Sequence, residues 1–112
     1  MALSRVVESF ESLCLRGTNE VHYEVELGFF IGKQAKIVKA EVWHVHVQGY
    51  FLGIDFTDRD LQGLAKKNCS PWTLTKFQDR FFTFSGFVDV EKVRNPHDLE
   101  ISYKINHKFV QR

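Results

Sequence analysis

Glu24 and Glu26 stand one residue apart in "EVHYEVELGFF", residues 20–30, a run that otherwise reads as a strand. Side chains alternate across a strand, so both acids share one face. A rise of ~3.3 Å per residue sets their carboxylates roughly 6 to 7 Å apart. Two anions held that close need a compensating cation or water. Taken alone, the pair also fits a solvated outer face. A third acid, Asp55 in "GIDFTDRD", follows an apolar run and directly precedes a helix. Ligand sites gather at such junctions, although an acid there also fits a helper of the helix cap. Together the three carboxylates form a hard, all-oxygen set suited to Mg²⁺ or Mn²⁺, with water or substrate completing an octahedron. Spacing alone leaves open whether the two segments are neighbours.

The elements that must position these acids follow from the pattern around them. Val21, Tyr23, Val25 and Leu27 point away from His22, Glu24 and Glu26. Gly28 and Gly32 allow a bend or bulge, and "KIV" at 36–38 reads as a short continuation of the strand. "AEVWHVHVQGY" fits strand or helix equally. "GYFLGIDF" is a continuous apolar run, as in a strand buried on both faces. "TDRDLQGLAKKN" reads as a helix capped by Thr57, with Asp60 three residues on, Leu61 and Leu64 on one side and Asn68 at the exit. "CSPWTL" and "NPHD" read as turns, and "FFTFSGFVDV" and "LEISYKI" as strands. "NHK" turns the latter into a hairpin with "FVQR" as its return arm.

The 112 residues fit one small domain, and eleven Phe, two Trp and three Tyr favour sheet. A net charge of +1 offers no electrostatic footprint for nucleic acid or an anionic membrane. No apolar run approaches the ~20 residues that span a bilayer. Cys14 and Cys69 are too few for a disulfide scaffold or a zinc site. Acidic residues near the start argue against a strong mitochondrial leader. His44 and His46 share a face only if their segment is a strand, where they could hold zinc. His97 and His107 fall in turns. Cys69 has no histidine nearby in sequence to activate it, and "RFFTFSGF" reads as core or dimer surface.

Four blocks carry a resemblance: "EVHYEVELGFFIGK", "GYFLGIDFTDRDLQ", "KKNCSPWTLTKF" and "NPHDLEISYKIN". In order and spacing they resemble the fumarylacetoacetate hydrolase family, most closely its acylpyruvase and oxaloacetate decarboxylase (tautomerase) branch. The resemblance implies an α+β, mainly β fold, part of the family's β-sandwich roll with short helices, over residues 18–112. Residues 1–17 form an N-terminal extension. It implies Glu24, Glu26 and Asp55 as ligands of Mg²⁺ or Mn²⁺, Arg59 and Gln62 as substrate contacts, and Lys76 as the catalytic lysine of "P-W-x-x-x-K". The implied substrates are small β-dicarbonyl acids such as acylpyruvates and oxaloacetate. The ion would act as a Lewis acid for their enolates, with Lys76 facing oxyanion charge and Arg59 a substrate carboxylate. A homodimer, mitochondrial or cytoplasmic, with no nucleic-acid or membrane partner completes the expectation.

The sequence departs from the family pattern in several places. "SRVVESFESLCLRGT" lacks the family's lid His–Glu pair, although Glu8 and Glu11 are acidic, and the "T-G-T-P" loop is not present. "KFQDRFFTF" sets Phe77 beside the lysine, and "TDRD" adds Asp58 near the ligands. The blocks span about half of the family's catalytic domain. Two expectations therefore stand together: a metal-dependent hydrolase, decarboxylase or keto–enol tautomerase, and a catalytically impaired form serving as a structural or interaction module.

Overall fold

The computed structural model describes residues 18–111. The N-terminal extension, with Glu8, Glu11 and Cys14, lies outside the described residues. Two long strands dominate the rest: β1 (Val21–Ile31) and β2 (Val47–Asp58), paired antiparallel from Val21 opposite Asp58 to Ile31 opposite Val47. The register slips only between Phe30 and Ile31. β2 takes β1 on one side and two short strands on the other, β3 (Phe82–Phe84) and β4 (Val88–Asp89). A separate hairpin joins β5 (Tyr103–Ile105) to β6 (Lys108–Gln111). Asn106 and His107 at its tip both have positive φ, 48° and 65°, as a tight two-residue hairpin turn requires. The Tyr23 and Tyr103 rings, 5.0 Å apart, join the hairpin to β1. The class is α+β, mainly β.

The two faces of the sheet differ. One buries Val47, Tyr50 and Val93, with Leu27, Trp43, Val88, Val90 and Leu99 packed around them. On the other, Glu24 opposes Asp55, Glu26 opposes Gly53, and Gly28 opposes Phe51. This face is therefore acidic at one end and aromatic at the other. The Phe51 ring lies over Gly28 so closely that a Cβ there would fall 2.1 Å from its Cζ. Phe30, Phe84 and Phe82 gather around Phe51 at ring distances of 4.9, 5.6 and 6.1 Å.

Two helices connect β2 to β3: α1 (Arg59–Lys67) and the single turn α2 (Thr73–Lys76). Asp58, rather than Thr57, caps α1, because β2 stays extended through Asp58 and only there can a side chain reach back over the first turn. Its Oδ1 accepts the Leu61 N–H at 2.9 Å. Thr57 is fully buried in the strand. Leu61 and Leu64 are exposed and Gln62 is buried, so α1 turns a polar residue inward. α2 also replaces part of the turn expected over "CSPWTL".

Elsewhere the chain is less regular than its apolar pattern suggests. "KIV" is not a strand: Ile37 takes φ 52° and is almost wholly exposed. "WHVH" (Trp43–His46) forms a 3-10 turn ahead of β2. "FFTFSGFVDV" breaks at Ser85, whose N–H and Oγ engage the Leu52 carbonyl and amide before the chain re-pairs at Tyr50. "LEISYKI" is strand only from Tyr103, because β6 offers partners to just that portion, while Leu99 turns to the core.

Asp58 generates a prediction. Burial pushes its carboxyl pKa up, but hydrogen bonds from the Leu61 amide, Thr18 and Gln78 outweigh that and hold it below the ordinary 3.8. A carboxyl held low when folded stabilises above its unfolded value and loses that contribution as pH falls. Asp58→Ala should cost about 1–2 kcal/mol of folding free energy at neutral pH, read from urea midpoints. The difference from the parent should shrink as pH drops from about 5 to about 3. A difference that stays constant over this range would show that the cap does not depend on the charge.

Candidate active site

Register brings the acids together. Glu24 and Asp55 are direct partners across β1 and β2, and Glu26 is next on the same face of β1. One carboxylate oxygen from each of the three lies within 4.8 Å of the others. This is tighter than the 6 to 7 Å expected for the two glutamates from strand rise. The reason is that long side chains converge above a backbone whose spacing is fixed.

The helices bring the counter-charges. Lys76, the last residue of α2, donates from Nζ to Glu24 Oε2 at 2.6 Å and to Asp55 Oδ2 at 2.7 Å. Arg59, the first residue of α1, donates from Nη2 to Glu24 Oε1 at 3.0 Å and from Nη1 to Gln62 Oε1 at 2.7 Å. Arg59 and Gln62 thus share a face, as their spacing predicts. Glu24 has a cation on each oxygen. Glu26 is exposed and makes no ion pair among the described residues.

The Lys76 hydrogen bond is the largest influence holding the Glu24 carboxyl below its ordinary range, with Arg59 adding to it against burial. Burial alone would depress Lys76. Its bonds to Asp55 and Glu24 reverse that and raise its pKa above 10.5, so it is a full cation at neutral pH. A cavity of about 640 Å³ opens beside Asp55 and Lys76 and is also lined by Phe77, Phe81 and Phe82. Phe77 and Phe82 are well exposed at its edge.

All six residues singled out from the sequence therefore meet in one cluster. What sequence reasoning missed is that Lys76 bridges the carboxylates; two acids on one strand face already signal that some cation must. Asp58 serves the cap and stands outside the acid triad. His44 and His46 sit on a 3-10 turn, where residues two apart diverge, and join no group of three metal-capable side chains among the described residues. Cys69 is exposed, with φ 50° just past the end of α1. His97 packs edge-on against Trp43, ring centres 5.8 Å apart.

The donor chemistry fits a small divalent cation. Each of three carboxylates brings a hard oxygen to within 4.8 Å of the other two, so a small closing movement would let all three reach one ion. Among the described residues no helix is long and apolar enough to cross a membrane.

The sequence matches the family "Fumarylacetoacetate (FAA) hydrolase C-terminal" over residues 4–112, and the chain belongs to that family. It is 38% identical over 109 residues to the mitochondrial oxaloacetate tautomerase of Caenorhabditis elegans, covering 97% of this chain and 51% of the relative. It is 34% identical over 95 residues to the mitochondrial oxaloacetate decarboxylase of Dictyostelium discoideum, covering 85% and 44%. The fold superposes on the fumarylpyruvate hydrolase of Pseudomonas aeruginosa, solved with Mn²⁺ and pyruvate. The TM-score is 0.82 and the identity 33%, over 88% of this chain and 42% of that one. The chain spans about half the length of the curated relatives it matches.

The Lys76 bridge can be weighed directly. With a chelator present, Lys76→Met should destabilise the fold, because Glu24 and Asp55 then repel across one register pair. Adding Asp55→Asn should recover part of the loss. We expect a coupling of about 1 kcal/mol in this double-mutant cycle, since the partners are only partly buried. Strict additivity in urea denaturation would contradict the bridge.

Proposed function

We propose that this chain carries the divalent-metal site of an enzyme acting on oxaloacetate or a related acylpyruvate, by keto–enol tautomerisation, decarboxylation or hydrolytic carbon–carbon cleavage. The observation that carries this reading is the convergence of Glu24, Glu26 and Asp55 oxygens within 4.8 Å, beside a cavity that also receives Lys76. The activities for which the relatives are named and the Mn²⁺ and pyruvate of the structural neighbour support it.

In this reading Glu24, Glu26 and Asp55 hold Mg²⁺ or Mn²⁺. When bound, the ion supplies Lewis-acid polarisation of a keto oxygen. Lys76, whose Nζ already donates to carboxylate oxygens at the cluster, serves in this reading as a hydrogen-bonding cation for oxyanion charge on the substrate. Arg59, oriented by Gln62, offers a planar guanidinium suited to a substrate carboxylate. Phe77 and Phe82 offer apolar surface at the edge of the cavity, beside the polar Gln78, Asp79 and Arg80. The same reading places the protein in the mitochondrion, in line with the names of its relatives, and as a homodimer. The exposed Phe29, Phe84 and Phe87 supply apolar surface for assembly.

Calorimetric titration of the 112-residue chain with Mg²⁺ and Mn²⁺ tests the site. Glu26→Ala and Asp55→Ala should each weaken binding by about tenfold or more, since each removes one ligand of a three-carboxylate set. Oxaloacetate tautomerisation and decarboxylation by the metal-loaded chain should fall with them. A parent chain that takes up no ion would sink the enzymatic reading in favour of a structural or interaction role.

A further inference from the structure

Resting on that reading, we infer that Lys76 is the resident cation of the carboxylate cluster, and that a divalent ion enters by exchanging with its ammonium on Glu24 and Asp55. The lysine is thereby released into the adjoining cavity, where a substrate oxyanion would lie. Metal uptake and the presentation of Lys76 to substrate become one event.

The geometry supports each part of this exchange. Nζ sits 2.6 and 2.7 Å from two of the three carboxylates that would serve the ion. Three carboxylates carry one negative charge more than Lys76 and Arg59 together. A doubly charged ion arriving with both cations in place would leave the cluster net positive; once Lys76 withdraws, the cluster is neutral. Of the two cations, Lys76 is the one free to leave. Its ammonium is a point charge on a flexible four-carbon stem, whereas Arg59 is tied to Gln62 as well as to Glu24.

The space for the move is also present. The cavity beside the cluster is lined by both Asp55 and Lys76, so the lysine already borders the space it would enter. Glu26, exposed and without an ion-pair partner among the described residues, is the carboxylate available to capture an incoming ion before exchange. The order that follows is ion first, substrate second.

The test is reductive methylation of the native chain with formaldehyde and a borane reductant, with each lysine quantified by mass spectrometry. It is run with chelator and at saturating Mg²⁺, beside calorimetry on the same preparation. With chelator, Lys76 should label more slowly than Lys66 and Lys67, which lie on α1 away from the acids. Mg²⁺ should raise Lys76 labelling several-fold and leave the other two unchanged. Lys76→Met should bind Mn²⁺ about tenfold more tightly than the parent, because a competing closed state has been removed, while Lys67→Met should not. If Mg²⁺ binds but Lys76 labelling does not rise, or the affinities of parent and Lys76→Met are equal, the exchange is wrong while the metal site stands. If no ion binds, both readings fall.

Discussion

The antiparallel register of β1 on β2 is the constraint on which everything else here depends. A strand has a period of two, so a slip of one residue would carry Glu24 and Glu26 to the face that buries Tyr50 and Val47. Several independent contacts hold the register. The apolar face of β1 feeds Leu27 into the core. Phe51 occupies the space left by Gly28 on the other face. At the far end, the Arg59 amide donates to the Glu20 carbonyl at 2.9 Å, and Thr18 bonds to Asp58. The start of α1 is thus anchored to the same strand pair that sets the acids. Arg59 is aimed at Glu24 by the backbone, not by its own side chain alone.

A face that gathers three anions works against folding unless cations accompany it. The structure meets this demand from the helical connection between β2 and β3. α1 turns Gln62 inward and leaves Leu61 and Leu64 outside, the reverse of an ordinary amphipathic helix, because what it faces is a charged cluster. α2 is a single turn, too short for stability of its own. Thr75, buried and bonded to the Trp72 carbonyl at 2.7 Å, holds that turn so that Lys76 emerges toward Asp55. Local structure that looks irregular is therefore explained by the charges it positions.

The same logic separates what was legible in the sequence from what was not. β1, β2 from Gly49 onward, α1 and the final hairpin each have a clear signal: alternation, a continuous apolar run, a helical period with end residues, and a turn between apolar arms. Two of the failures share a cause. "KIV" and the first half of "LEISYKI" have strand-like composition but no partner strand, and pairing is a property of the fold rather than of the segment. Ser85 breaks its run by putting a hydroxyl where the ladder continues. The expected cap, Thr57, gave way to Asp58 because β2 runs one residue further than its apolar pattern, and an Asp caps as readily as a Thr. The identity of the site residues came from resemblance. Spacing offered the shared face of Glu24 and Glu26 and the pairing of Arg59 with Gln62, but nothing local places Lys76 beside Asp55.

The partial exposure of the cluster is itself informative. The side chains of Glu24, Asp55, Lys76 and Arg59 retain 37, 23, 22 and 28% of their accessible surface. Ion pairs this open are individually weak, since water screens them and competes for their hydrogen bonds. A fully buried cluster would grip Lys76 far harder, and breaking it would strand uncompensated charge. It would also demand complete dehydration of an incoming ion, which Mg²⁺ resists more than most cations. A half-open cluster avoids both extremes. The proposed exchange depends on this intermediate exposure: Lys76 is held closely enough to neutralise the acids, and the cluster is open enough that a partly hydrated ion would meet Glu26 first. A cluster of weak, half-open salt bridges is the kind from which a divalent ion could displace an ammonium.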